Sequence, residues 1–210
     1  MRVRDVVGIS EENQRRATRA MQLSLVGIVF IGLDRGNPGI VVNGAVALGV
    51  TQVPALLERD YNIPMDSALV LWMTLAAFLH AVGTLGPYKT VPWWDHVTHA
   101  LSSTLVAGAG YAFARAVDEH EDGIDFPPKF TFAFILLVVV AFGVVWEVLE
   151  FFVGEAGNLV GGSVLTQYGL EDTIKDLVYD AVGGVLVAVW GTAYLTDVVS
   201  ALGARYANSE

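Results

Sequence analysis

The sequence predicts an all-α fold: a polytopic membrane bundle of about six transmembrane helices, with both termini inside. Two observations lead there. Of 210 residues, 54% are hydrophobic and only 16% are charged, against about a quarter charged in soluble domains. The mean hydropathy is +0.53. The apolar residues also fall into long runs between short polar breaks, and a helix needs about 20 such residues to cross a hydrocarbon core. The same composition excludes a disordered chain. Twelve basic against 22 acidic residues, a net charge of −10, exclude a basic nucleic-acid binder. With no cysteine there is no thiolate metal site, redox pair or cysteine nucleophile. The acidic, lysine-poor balance (Lys89, Lys129 and Lys175 alone) suits a high-salt cytoplasm.

Taken in order, the predicted spans are 21–33, which can start earlier near Ala17, then 39–57, 67–85, 93–117, 130–152 and 173–199. Residues 1–16 form a cytoplasmic lead-in, 17–200 the membrane domain, and 201–210 a cytoplasmic tail. The lead-in is no cleavable signal, because Arg2, Arg4, Arg15, Arg16 and Arg19 are mixed with acids and no small-residue cleavage pattern follows. Orientation follows from the basic residues of alternate loops. With the N-terminus inside, those five arginines join Arg59, Arg115, Lys129 and Arg205 on the inner side. Arg35 and Lys89 lie outside, with Lys175 at most a third. The expected location is therefore the cell membrane, crossed several times.

Ionisable residues inside apolar spans are costly and face the bundle interior. Here they gather in one outer layer: His80 in the third span, Asp95, His96 and His99 opening the fourth, Glu147 and Glu150 closing the fifth, and Asp172, Asp176 and Asp180 opening the sixth. Asp95 and His99 are four residues apart, Glu147 and Glu150 three, and the three aspartates step by four. Each set thus shares one helix face. At 1.5 Å per residue, Asp180 lies about 12 Å below Asp172.

Blander roles suit some members. Asp95 and Asp172 fit helix N-termini, where the dipole favours acids. His96 falls on a different face from His99, and His80, followed by Gly83 and Gly86, reads as a hydrogen-bonded packing residue. Glu150 adjoins Phe151 and Phe152, as an interfacial residue would. Capping does not serve Asp176, Asp180, Glu147 or His99, which lie a turn or more inside. Elsewhere, Trp93, Trp94, Tyr88 and Tyr168 suit a membrane interface. Gly108, Gly110, Gly183 and Gly184 allow close helix contact. The Gly-rich stretch 154–169 has no basic residue to cradle phosphate and reads as a loop folded back as a lid.

Three motifs in order carry a resemblance. They are Asp95-His96-Val97-Thr98-His99-Ala100, Trp146-Glu147-Val148-Leu149-Glu150-Phe151, and Thr166-Gln167 followed by Asp172-Thr173-Ile174-Lys175-Asp176. Over roughly residues 90–190 the chain resembles the YjdF family of inner-membrane proteins, and more distantly it is similar to the VanZ-like membrane proteins. Asp180 stands where the VanZ-like pattern tends to have Asn, and Glu150 where it often has Gln, so the YjdF-like likeness is the closer. The resemblance implies a polytopic membrane fold and supplies no reaction.

So many carboxylates beside a few imidazoles repel unless they are protonated, paired or bridged by a cation. Oxygen and imidazole ligands suit Zn, Mn or Fe. One expectation is a metal-dependent membrane enzyme: His99, Glu147, Glu150 and Asp176 hold the metal, and Asp180 or Asp95 is the general base. Its substrate is lipid-like, a polyprenyl or phospholipid head group entering from the outer leaflet. An ion- or proton-coupled carrier uses the same residues as cation ligands or a proton relay. A scaffold, pinned together by the polar layer, is the third. The lipid bilayer is a partner in all three, and nothing in the sequence specifies an oligomeric state.

Overall fold

The computed structural model describes residues 9–121, 123–159, 169–190 and 199. Every element among them is a helix. The first, α1 (Glu11–Asp34), starts where the Ser10 hydroxyl accepts from the Asn13 amide, with Glu11 and Glu12 in its first turn. Both acids favour the positive end of the helix. They also pair with Arg15 and Arg16 one turn on. The helix therefore begins about ten residues before the apolar run, because capping and ion pairs extend it through a polar stretch. α2 (Pro38–Val50) opens with Pro38 in its first turn and the Asn37 side chain accepting from Ile40 N at 3.2 Å.

The second predicted span is not one straight helix. It turns at Thr51 and Gln52, with Pro54 in the first turn of the following α3 (Val53–Tyr61). A proline lacks the N–H that an unbroken helix requires and crowds the preceding turn. α3 ends at Asn62, whose φ of 49° is the left-handed cap conformation. α4 (Ser67–Gly83) is capped by Asp66, which accepts from Ala68 N and Leu69 N at 2.7 and 3.0 Å. A four-residue α5 (Pro87–Thr90) leads into α6 (Trp94–His120), α7 (Pro128–Leu159) and α8 (Leu170–Trp190).

Among the described residues, three stretches are long and apolar enough to cross a membrane: Glu11–Asp34, Pro38–Tyr61 and Pro128–Glu155. Ser67–Gly83 is as apolar but shorter. The expected lid is corrected at its start: residues 154–159 continue α7 as helix, and the rest of that stretch up to 168 lies outside the described residues. Tyr168, Thr166, Gln167 and the 201–210 tail lie outside them too.

Two groups of helices share α4 and α6 as their seam. α1, α2 and α4 pack around Leu25, Ile28, Ile40, Ala47 and Ala81. α6, α7 and α8 pack around Ala107, Tyr111, Ala112, Ile135 and Val139, and α6 against α8 is the most extensive contact. The outward faces remain apolar, with Leu23, Phe30, Leu137, Phe142 and Phe152 all well exposed. Buried positions include Asn43, Thr74, Ser103 and four carboxylates. An apolar exterior over a partly polar interior is what a lipid solvent requires, since lipid cannot satisfy polar groups.

Candidate metal centre

The site forms because three helices each carry a stripe that turns from apolar to polar at the same end. On α7 the stripe runs Ile135, Val139, Gly143, Glu147, Glu150, at steps of three or four. On α8 it runs Asp172, Asp176, Asp180 and then the adjacent Gly183 and Gly184. On α6 it runs Asp95, His99, Ser103, Ala107. α7 is antiparallel in sequence sense to the other two, so its acidic end meets their acidic beginnings.

The paired glycines set the spacing. A Cβ at Gly183 would overlap Ser103 Oγ and the Ala100 carbonyl of α6. One at Gly184 would press on Leu136 and Val139 of α7 at 3.1–3.3 Å. Consecutive glycines therefore seat α8 against two neighbours at once, and this brings the Asp176 and Asp180 side chains to His99.

His99 lies among three aspartates. Its Nε2 is 3.8 Å from Asp95 Oδ1 and 3.9 Å from Asp176 Oδ1, and its Nδ1 is 3.3 Å from Asp180 Oδ1. One ligand atom each from Asp95, His99 and Asp176 lies within 4.8 Å of the others. Ligands about 2.1 Å from a tetrahedral ion are about 3.4 Å apart, and the two distances from His99 Nε2, 3.8 and 3.9 Å, are a few tenths of an ångström longer than that. Asp176 is 2% exposed, and its Oδ1 is buried with no hydrogen-bond partner. An acceptor left so is costly without a cation. The Asp95 side chain, 25% exposed, is the most open of the three.

All five residues expected to converge, His99, Glu147, Glu150, Asp176 and Asp180, are buried in this bundle. Glu147 is held by the Thr173 hydroxyl, which donates to its Oε2 at 2.8 Å. Glu150, one turn further along α7, is in electrostatic reach of Glu147, His99, Asp95 and Asp176. Asp95, expected as a base, lies beside His99 Nε2 at 3.8 Å, on the same side as Asp176. Asp180, also expected as a base, sits on the opposite side of the imidazole. Asp172 occupies the first turn of α8, and Lys175 turns outward to Glu171 at 2.7 Å.

Neighbouring aromatics are structural. His96 stacks on Tyr179 at 4.2 Å between ring centroids. His80 Nδ1 is 2.7 Å from the Tyr88 hydroxyl and meets Trp146 edge-on. Tyr88 is thus a bonded partner inside the fold rather than a free interfacial residue, and it fits because Gly83 leaves room for its ring. Trp94 donates to the Leu79 carbonyl at 3.2 Å, whereas Trp93 remains exposed. Sequence reasoning missed Thr173 and Gly143. Thr173 was detectable, since it precedes Asp176 by three and Asp180 by seven and so shares their face. For Gly143 the signal is its place four residues before Glu147 on the buried stripe.

An all-helical membrane protein with a buried histidine–carboxylate cluster at one end of a three-helix unit is the class these features define. The chain belongs to the family described as predicted membrane protein (DUF2238), whose match spans residues 17–197. The YjdF-like proteins lie within that family, and the matches do not bear on the more distant VanZ-like likeness. An uncharacterized protein of Thermotoga maritima is 30% identical over 132 residues, which cover 62% of this chain and 65% of the relative. The match therefore spans a little under two thirds of that relative's length. No solved structure matches the chain.

Proposed function

We propose that this protein is a metal-dependent enzyme of the cell membrane, acting on a lipid-like phosphoester at the outer half of the bilayer. The observation that carries the reading is the approach of Asp95, His99 and Asp176 around one point, with the buried Asp176 Oδ1 left without a hydrogen-bond donor. Three protein ligands with further positions open are the pattern of catalytic rather than structural sites. Zn, Mn or Fe suits one imidazole among carboxylates. Such an ion polarises a phosphoryl oxygen and makes a bound water more acidic. Glu147, fixed by Thr173, completes the ligand set, and Glu150 takes the proton. The partial exposure of Asp95 supplies the way in. Six crossings with N-in and C-in place this end of α6, α7 and α8 on the outer side, supported by the nine basic residues assigned to the inner one.

The test is reconstitution into phospholipid vesicles containing a polyprenyl phosphate. Release of phosphate or of a phospholipid head group is expected, abolished by chelator, restored by Mn or Zn, and absent from His99→Ala. Uptake of a tracer divalent cation without any release would establish the carrier instead. Neither release nor uptake would leave the scaffold.

A further inference from the structure

We infer that Asp180 is a positioning residue for His99, not a base, and that Gly143 is the gap that admits it. The inference rests on the metal-centre reading and assigns the residues behind it. The two imidazole nitrogens face opposite ways. Nε2 looks towards Asp95 and Asp176, while Nδ1 lies 3.3 Å from Asp180 Oδ1. A ring that donates its Nδ1 proton to Asp180 leaves the Nε2 lone pair for a cation. A carboxylate or carbonyl behind a ligating histidine has this effect in metal sites generally, fixing both tautomer and ring orientation. Asp180 is buried, nearly three turns into α8, and its ring-facing oxygen is on the Nδ1 side of the imidazole, away from the Nε2 side where Asp95 and Asp176 lie. It is therefore badly placed to take a proton from anything bound there.

Gly143 explains how the carboxylate keeps that pose. A Cβ at Gly143 would lie 2.5 Å from Asp180 Oδ2 and 2.8 Å from Leu177 Cδ2. Even one methyl group on α7 must push the Asp180 side chain, and Asp180 is the link to His99 on α6. Three helices are thus coupled through one carboxylate: α7 leaves the space, α8 supplies the acid, and α6 presents the ligand.

The experiment titrates purified wild-type, Asp180→Ala, Asp180→Asn, Gly143→Ala and the double variant Gly143→Ala/Asp180→Ala with Mn(II) and Co(II). Melting temperature without metal is recorded alongside. Removing the partner behind a ligating histidine costs about 10–100-fold in metal affinity. Asp180→Ala is expected to show that loss together with an altered Co(II) visible spectrum. Asp180→Asn, whose carbonyl still accepts from Nδ1, should recover most of the affinity. Gly143→Ala should weaken binding in the wild-type background and add almost nothing in the Asp180→Ala background, since it acts through that side chain.

A structural role alone would move the melting temperature and leave affinity and spectrum as in wild type. That result would overturn the inference while the metal centre stands, as would equal, additive losses from Gly143→Ala in both backgrounds. Should Gly143→Ala fail to fold, the comparison of Asp180→Ala with Asp180→Asn decides, and equal affinity in the two overturns the inference. A wild-type protein that binds neither ion removes the metal centre and this inference together.

Discussion

The two halves of this bundle are held together differently. Around α1, α2 and α4 an aliphatic cluster of Leu25, Ile28, Ile40 and Ala47 is joined by buried but uncharged polar side chains. Among them is Gln14, whose Oε1 accepts from the Ser67 hydroxyl of α4 at 2.6 Å, and Gly32 lets α1 approach Val41 of α2. Around α6, α7 and α8 the interior is aliphatic at one end, at Ile135 and Val139, and ionic at the other, at His99, Glu147, Asp176 and Asp180. In lipid the hydrophobic effect does not drive helices together, so close packing and polar contacts must do so. The first half uses close packing with neutral hydrogen bonds. The second half adds a buried cluster of one histidine and several carboxylates, and that ionisable cluster is what separates the two halves.

The largest effect expected from breaking this contrast is at the contact between α6 and α8. Gly183→Val forces a branched side chain into Ser103 and the Ala100 carbonyl. It should cost about 3 kcal/mol, the upper end of ordinary overpacking, seen as a collapse of folded yield and melting temperature in detergent. Leu25→Ala, in the aliphatic half, removes a fully buried side chain. It should destabilise by about 2 kcal/mol through lost packing and leave metal affinity at the wild-type value. A change in metal affinity there would show that the two halves are not separable.

Asp176→Asn sharpens the contrast by reversing the sign. It removes one negative charge from a buried cluster that holds a single nearby imidazole. Without metal, the variant should unfold about 1 kcal/mol later than wild type, the usual scale of a stability–function trade, while metal binding is lost. Destabilisation of the metal-free protein would instead make Asp176 a structural residue. The smallest effect is expected from Thr173→Val, which deletes the hydrogen bond to Glu147. About 1 kcal/mol or less should disappear from chemical-denaturation stability, together with part of the metal affinity, since Thr173 orients the proposed ligand Glu147.

Most of the fold was legible because lipid solvent imposes a simple rule, apolar outside and helical throughout. As far as the described residues reach, the predicted spans fall on helices, 191–198 of the last lying outside them, and the misplaced details have local causes. Ser10 and the Glu11–Arg15 and Glu12–Arg16 pairs lengthen α1, while the turn before Pro54 divides the second span. The site was legible as residue types on helix faces, since steps of three and four decide which side chains share a face. How the faces face one another was not. That Asp95 joins His99 and Asp176, while Asp180 falls behind the ring, depends on the rotation of α6 against α8, set by Gly183 and Ser103. The partner of Gly143 lies on another helix, and no spacing within α7 reveals it.

The central claim is that the ionic end of α6, α7 and α8 holds a metal, and metal content of the purified protein tests it most directly. Wild type and His120→Ala, at the far end of α6 about 30 Å along the helix, should each retain about one equivalent of Zn, Mn or Fe, as expected of one ion held by Asp95, His99 and Asp176. Chelator should lower the melting temperature of both, because a ligand bound only to the folded state stabilises it. His99→Ala should purify without metal and melt alike with and without chelator. A metal-free wild type, or equal metal in His99→Ala and His120→Ala, would contradict the account.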